Sequence, residues 1–256
     1  RTSTPKIAIS GVSSVAATNM TSTGSANVWT YAYTAPAGDG TDTFAFSVGT
    51  DAAGNTVTSA PTSGATVTVD NTAPVLAAVT QVETPSNDTT PSYVFTTGEA
   101  GTITTNITEG FSTSSSAATG SNQTITFNTL GAGTYADKTI TVTDAAGNAS
   151  SLTLVTFVID TTAPTAAITY NSVSPYKNGD TVTITATFNG PVADSPVPTI
   201  AIAGSGIANV TSTNMTKTST TVYTYSYAVP TGDGTGTVTV GTCLLYTSPS
   251  PRDVSS

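Results

Sequence analysis

The sequence contains no histidine, and its single cysteine, Cys243, lies close to the end of the chain. The absence of histidine excludes the Ser-His-Asp and Cys-His arrangements of nucleophilic catalysis, together with the usual histidine-based metal centres. Two carboxylates could still form an acid–base pair, but no Asp or Glu stands in a setting that indicates a pocket to tune it. These absences predict that the chain is not an enzyme.

Charged residues are also scarce, and most of them are acidic. Charged residues make up 8% of the chain, the net charge is −9 and the isoelectric point is about 4.1. Without a cluster of Lys or Arg to neutralise phosphates, the chain is not expected to bind nucleic acid. No apolar run approaches the length of a membrane span, so no membrane insertion is expected within these residues.

An internal repeat links the beginning and the end of the chain. WTYAYTAPAGDGT (29–41) matches YTYSYAVPTGDGT (223–235), and the matching stretches begin at Pro5 and Pro198. Repetition over this length predicts two copies of one structural module.

The segment between the two copies is a related module. It shares TDAAGN, at 143–148, with the first copy, where the same letters stand at 50–55. Similar joints, VDNTAP and IDTTAP, frame it, and their prolines, Pro74 and Pro164, are 90 residues apart. That spacing is close to the length of one small β-sandwich.

The local pattern predicts β-strands throughout. TVTITATF (181–188), TITF (124–127), KTITVT (138–143) and WTYAYT (29–34) alternate a branched or aromatic residue with Thr, Ser or Ala. This period of two is typical of strands with one face in a core and the other in water. Clusters of Gly, Asn, Asp and Pro punctuate the strands, so the fold class expected is an all-β protein of antiparallel sandwiches.

These motifs resemble bacterial immunoglobulin-like (Big-type) repeats, which occur in tandem in large secreted and cell-surface proteins, including adhesins. The residues that carry the resemblance are the DAAGN turns, the DNTAP and DTTAP joints, EAGTI (99–103) and GTYADKTITVTDAAGN (133–148). The resemblance implies tandem Ig-like β-sandwiches located outside the cell or on the bacterial surface, with neighbouring repeats as partners. Its implied function is a structural stalk or spacer, with two alternatives: modules that bind a glycan or protein ligand, and accessory modules of a large secreted enzyme.

The alignment of the repeats sets the expected organisation. Residues 1–71, the first module, correspond to the C-terminal part of a domain, residues 72–161, the middle module, to a complete domain, and residues 162–242, the third module, to an N-terminal part. We therefore expect a fragment of a longer reading frame, as metagenomic sequence yields. Residues 243–256 match neither repeat, and 243–253 (CLLYTSPSPRD) resemble a translated sequencing-library adapter. Cys243 is accordingly not expected to be a functional thiol.

Four aspartates are candidates for a calcium site near the joints. Asp51 and Asp144 open the DAAGN turns, and Asp70 and Asp160 precede the joint prolines. A structural interpretation is favoured, in which the carboxylates accept backbone N–H bonds inside turns, because no DxDxDG-type loop is present and calcium needs six to eight oxygen ligands.

Aromatic side chains supply the other candidate sites. Trp29, Tyr31 and Tyr33 alternate along one segment, and Tyr223, Tyr225 and Tyr227 repeat them in the second copy. Residues two apart share one face of a strand, so each row either covers the core, which is favoured, or binds a glycan or protein ligand.

Tyr135, in LGAGTY (130–135), stands where a sandwich often places a tyrosine corner. Its hydroxyl is expected to bond the backbone across the connection between sheets. A role in stacking on carbohydrate is the alternative.

Overall fold

The computed structural model describes residues 3–56, 60–192 and 195–241. The predicted tail, residues 243–256 with Cys243, lies outside these ranges. The described residues form β-strands joined by turns and loops, and the strands pair antiparallel in every sheet. The prediction of an all-β protein built from antiparallel sheets is therefore confirmed. Within the described ranges no helix is long and apolar enough to cross a membrane.

The first module has one four-stranded sheet and one short hairpin. Its strands are β1 (Lys6–Ser10), β2 (Val15–Asn19), β3 (Thr21–Ser22), β4 (Trp29–Thr30), β5 (Gly40–Val48) and β6 (Thr66–Val69). The sheet order is β2-β1-β5-β6, and β3 pairs with β4. The pattern WTYAYT predicted a strand over 29–34, whereas the strand ends at Thr30. Among the described residues of this module, the buried apolar side chains are Ile7, Ile9 and Val69.

The middle module contains the larger of two core clusters. Its strands are β7 (Leu76–Thr80), β8 (Ser92–Thr97), β9 (Gly101–Thr105), β10 (Ser116–Ala117), β11 (Asn122–Thr126), β12 (Gly133–Tyr135), β13 (Thr139–Thr143), β14 (Ala149–Thr153) and β15 (Phe157–Ile159). The sheets are β10-β9-β13-β14, β11-β8-β7 and the pair β12-β15. Tyr93 and Phe95 lie two apart on β8, Ile125 lies on β11 with Phe127 just after its end, and these four side chains are fully buried together with Ile140 of β13.

The third module holds the second core cluster between two sheets. Its strands are β16 (Ala166–Tyr170), β17 (Thr181–Phe188), β18 (Thr199–Ser205), β19 (Val210–Asn214), β20 (Thr216–Lys217), β21 (Val222–Ala228) and β22 (Thr235–Gly241). The sheet orders are β16-β17-β21-β20 and β19-β18-β22. The two core clusters share no residue, so the middle and third modules each bury their own apolar side chains.

The first and third modules share their strand register from Ile7 and Ile200 onward. Ile7 pairs with Phe46 as Ile200 pairs with Val240, and both β1 and β18 carry a bulge at the following residue. The hydrogen bond just beyond this pairing is repeated as well, since the N–H of Met20 donates to the Pro5 carbonyl at 3.0 Å and that of Met215 donates to the Pro198 carbonyl at 2.9 Å. The repeat found in the sequence is thus a repeat of backbone pairing.

Candidate functional site

The aromatic row of the third module faces the core. Tyr223 is fully buried, and its ring meets Phe188 edge-on with centroids 5.8 Å apart. Tyr225 and Tyr227 are partly buried against the same cluster, and the Tyr227 hydroxyl donates to the Ala208 carbonyl at 3.0 Å. Tyr223 is therefore a core residue with no surface for an external ligand.

The matching row of the first module differs at its first position, where Trp29 is partly exposed and its counterpart Tyr223 is buried. Tyr31 and Tyr33 are partly exposed, as Tyr225 and Tyr227 are. Trp29 lines a cavity of about 210 Å³ and Tyr31 lines one of about 370 Å³, and the two cavities share the side chains of Met20 and Phe46. The apolar face behind this row is consequently accessible from outside the module.

Tyr33, the last residue of this row, forms a hydrogen bond with a buried carboxylate. Its hydroxyl donates to Asp42 Oδ2 at 2.7 Å, and Asp42 Oδ1 accepts the Ser13 N–H at 2.7 Å. Burial raises the pKa of Asp42, but the bonds from Tyr33 and Ser13 outweigh it and hold the pKa below its ordinary value. Asp42 was not predicted as a site residue. The period of two in TDTFAF places it on the same face as Phe44 and could have revealed it.

The two DAAGN turns have the geometry expected of Asx-type turns. In the middle module Asp144 Oδ1 accepts the N–H groups of Ala146, Gly147 and Asn148 at 2.7–2.9 Å. In the first module Asp51 Oδ1 accepts the Asn55 N–H at 2.8 Å.

The pKa values of both aspartates follow from these bonds. The bonds from Asn55 lower the pKa of Asp51. Burial raises the pKa of Asp144, but its hydrogen bonds reverse that effect and lower the pKa overall. Both carboxylates therefore already serve the structural role that the sequence favoured.

Residues of the joint between the first and middle modules form hydrogen bonds with both modules. On the first-module side, the Asn71 N–H donates to Asp39 Oδ1 at 2.6 Å and the Asn71 amide to the Gly38 carbonyl at 2.9 Å. Thr72 also donates its hydroxyl to Asp39, and these bonds lower the pKa of Asp39. On the middle-module side, the Asn148 amide donates to the Asp70 carbonyl at 3.1 Å. The joint residues are thus tied to both neighbours.

Three carboxylates converge beside this joint. One oxygen each from Asp70, Glu99 and Asp144 lies within 4.8 Å of the others. Burial raises the pKa of Glu99, and the negative charges of Asp70, Asp144 and Asp39 raise it further. Sequence reasoning predicted Asp70 and Asp144 but missed Glu99. Glu99 lies in the turn between β8 and β9, far from both in sequence, and no spacing signals it.

The other two calcium candidates remain apart from this group. Among the described residues, Asp51 and Asp160 belong to no such carboxylate group. Asp160 instead accepts the Thr162 N–H at 2.9 Å. Three carboxylates supply fewer oxygens than the six to eight that calcium requires, so backbone oxygens or water would have to complete a site. Calcium binding stays a prediction.

Tyr135 bonds the backbone just upstream of its own strand. Its hydroxyl donates to the Gly131 carbonyl at 2.9 Å, and its ring stacks on Phe157 with centroids 5.0 Å apart and planes 6° apart. This is the backbone bond expected of a tyrosine corner. The third module has a similar bond, from the Tyr176 hydroxyl to the Ser172 carbonyl at 2.8 Å.

No family model matches the chain, and no curated protein matches it either. The candidate residues offer carboxylates held in turns, a bonded joint and one accessible aromatic face. These features suit mechanical connection and surface contact.

Proposed function

We propose that this chain is a segment of an extracellular stalk, in which tandem β-sandwich modules act as spacers within a bacterial secreted or cell-surface protein such as an adhesin. The separate cores of the middle and third modules support this proposal, because each of these two modules can then bear load without rearranging the other. The observation that carries it is the joint between the first and middle modules, whose residues are bonded to both.

A spacer requires that neighbouring modules do not rotate freely. Pro74 has a fixed φ and no N–H donor, which removes one rotation from the joint. The bonds of Asn71 to Asp39 and Gly38 immobilise the preceding residues, and the bond from Asn148 to the Asp70 carbonyl ties the middle module to the same short stretch. We therefore expect a semi-rigid connection.

Small-angle X-ray scattering tests the shape that this function requires. A compact chain of 256 residues has a radius of gyration of about 18 Å. The stalk predicts a value clearly above this and a distance distribution with a long tail. A value near 18 Å would contradict the proposal.

A matched pair of variants tests the joint itself. Asn148 and Asn55 occupy the same position in the two DAAGN turns, and the amide of each donates to the aspartate of its own turn. Asn148 also donates to the Asp70 carbonyl. Spin labels at Ala17→Cys and Ala118→Cys, both exposed positions, report the distance across the joint in a Cys243→Ser background. Asn148→Ala should broaden that distance distribution, and Asn55→Ala should not. Distributions of equal width for the two variants would contradict the proposed role of the joint in holding the modules.

A second function is favoured by the partial exposure of Trp29 and Tyr31 beside the two cavities. In this alternative the face binds a glycan or a protein by aromatic stacking. A glycan array probed with the full chain should then give signals that Trp29→Ala abolishes and Tyr225→Ala, at a core-packed position, preserves. Absence of binding at high protein concentration would rule this function out.

A further inference from the structure

The backbone pairing of the first and third modules agrees up to the short hairpin at the start of the aromatic row. Thr21 pairs with Thr30 and Ser22 with Trp29 in the first module, as Thr216 pairs with Thr224 and Lys217 with Tyr223 in the third. Trp29 and Tyr223 are therefore equivalent positions by backbone pairing as well as by sequence.

Beyond this point the two modules differ. In the third module β21 continues to Ala228 because β17 pairs along its other edge, from Thr181 opposite Ala228 to Thr187 opposite Val222. In the first module the strand ends at Thr30, and residues 31–34 belong to no strand. Among the described residues the first module has no counterpart of the β16–β17 hairpin.

Exposure changes at the same place. Met215 and Tyr223 are 4% and 0% exposed in the third module, where β17 supplies Val182, Ile184, Ala186 and Phe188 to the core. Their counterparts Met20 and Trp29 are partly exposed and line the open cavities of the first module. Two side chains that are buried in the third module, in the same cluster as those of β17, are thus partly exposed at the equivalent positions of the first.

We propose that this open face of the first module is an acceptor for a β-hairpin of the β16–β17 type, joined to the chain on the N-terminal side of β1. The third module shows the arrangement, since residues 189–198 connect β17 to β18 within one polypeptide. The charge character fits as well. The larger cavity is lined by uncharged residues, among them Ile7, Tyr31 and Phe44, and TVTITATF of β17 carries no charge.

The third module also defines the register of the incoming strand. There Val182 lies opposite Tyr227, Ile184 opposite Tyr225 and Ala186 opposite Tyr223. By equivalence, the incoming strand pairs antiparallel with residues 29–34 and places a small residue opposite Trp29 and branched residues opposite Tyr31 and Tyr33. A small residue suits the position opposite Trp29 because indole is larger than the phenol ring of Tyr223.

The test adds the hairpin to the full chain. Residues 162–197 of this sequence are inserted directly before Pro5, which the repeat aligns with Pro198. Trp29 is the only tryptophan, so its fluorescence reports this face alone. The extended chain should show a blue-shifted emission and several-fold weaker quenching by acrylamide than the parent chain. The amides of residues 31–34 should gain protection from hydrogen exchange.

The matched control carries Val182→Lys and Ile184→Lys in the added copy only. These lysines cannot enter an apolar face without losing their hydration, so Trp29 should remain as accessible as in the parent chain. Equal shielding of Trp29 by the control, or no shielding by the unmodified extension, would overturn the proposal.

Other occupants give different results. A parent chain that is dimeric in sedimentation and already shields Trp29 would assign the face to a second copy and overturn the proposal. So would a glycan that shields Trp29 when the added hairpin does not. None of these readouts depends on the joint, so they are independent of the test of the stalk function.

Discussion

The same substitution at equivalent positions of the first and third modules should have unequal costs. Ile7 and Ile200 occupy the same register position, and they are 8% and 0% exposed. Ile200 lies inside a closed core, whereas Ile7 lines the larger open cavity. Truncation to Ala therefore creates a sealed void in one module and only enlarges an open one in the other.

The free-energy cost of each truncation has two parts, the lost transfer free energy of the removed groups and the cost of the cavity that they leave. Removing three methylene-sized groups from a buried site costs about 2.4 kcal/mol in transfer free energy, at about 0.8 kcal/mol for each group. A cavity that cannot collapse raises the total for Ile→Ala within a range of about 2–5 kcal/mol. We expect about 4 kcal/mol for Ile200→Ala and about 2 kcal/mol or less for Ile7→Ala, where water already reaches the site.

Native-state hydrogen exchange of the full chain measures both losses separately, because amides of β18 and β22 report the third module and those of β1 and β5 the first. Ile140→Ala in the middle module, where Ile140 is fully buried, is the control. It should destabilise only its own module, by an amount similar to Ile200→Ala. A loss for Ile7→Ala equal to or larger than that for Ile200→Ala would refute the description of the first module as open.

Three further substitutions test the bonds and charges described above. Tyr135→Phe removes the bond to the Gly131 carbonyl but retains the stacked ring, so denaturant unfolding should show a loss of about 0.5–1 kcal/mol in the middle module; no loss would mean that the bond contributes nothing. Glu99→Gln should raise the melting temperature at pH 7 in the presence of a chelator, because it removes a carboxylate whose pKa is raised by burial and by neighbouring negative charges. The gain should vanish below the ordinary Glu pKa of about 4.3, where Glu99 is protonated in both folded and unfolded states, and a gain that persists there would contradict this cause. Asp51→Ala has the opposite sign: the lowered pKa of Asp51 stabilises the first module above the ordinary Asp pKa of about 3.9, so the penalty should be full at pH 7 and shrink as the pH falls below that value. A penalty that is independent of pH would show that the carboxylate charge is not responsible.

Alternation in the sequence predicted the strands where one face is buried and a neighbouring strand pairs along the segment. TVTITATF predicted β17 at 181–188, and the strand has those bounds. WTYAYT has an equally regular pattern, yet only Trp29 and Thr30 form a strand. The pattern reports which face is apolar, but a strand also needs a neighbour along its edge, and that neighbour is distant in sequence.

The candidate sites show the same difference between local and long-range interactions. The turn role of Asp51 and Asp144 could be predicted because the groups that they bond lie within four residues. The grouping of Glu99 with Asp70 and Asp144 could not, since it joins a strand connection, a joint and a turn from separate parts of the chain.

The amino-acid sequence by itself determined the all-β class, the repeat and the turn chemistry, because these depend on side-chain periodicity and on bonds between near neighbours. Only the tertiary structure decided that Tyr223 is buried while its counterpart Trp29 is partly exposed, and which carboxylates meet beside the joint. Those outcomes depend on strands and loops that pack across long sequence separations, and burial is a property of that packing.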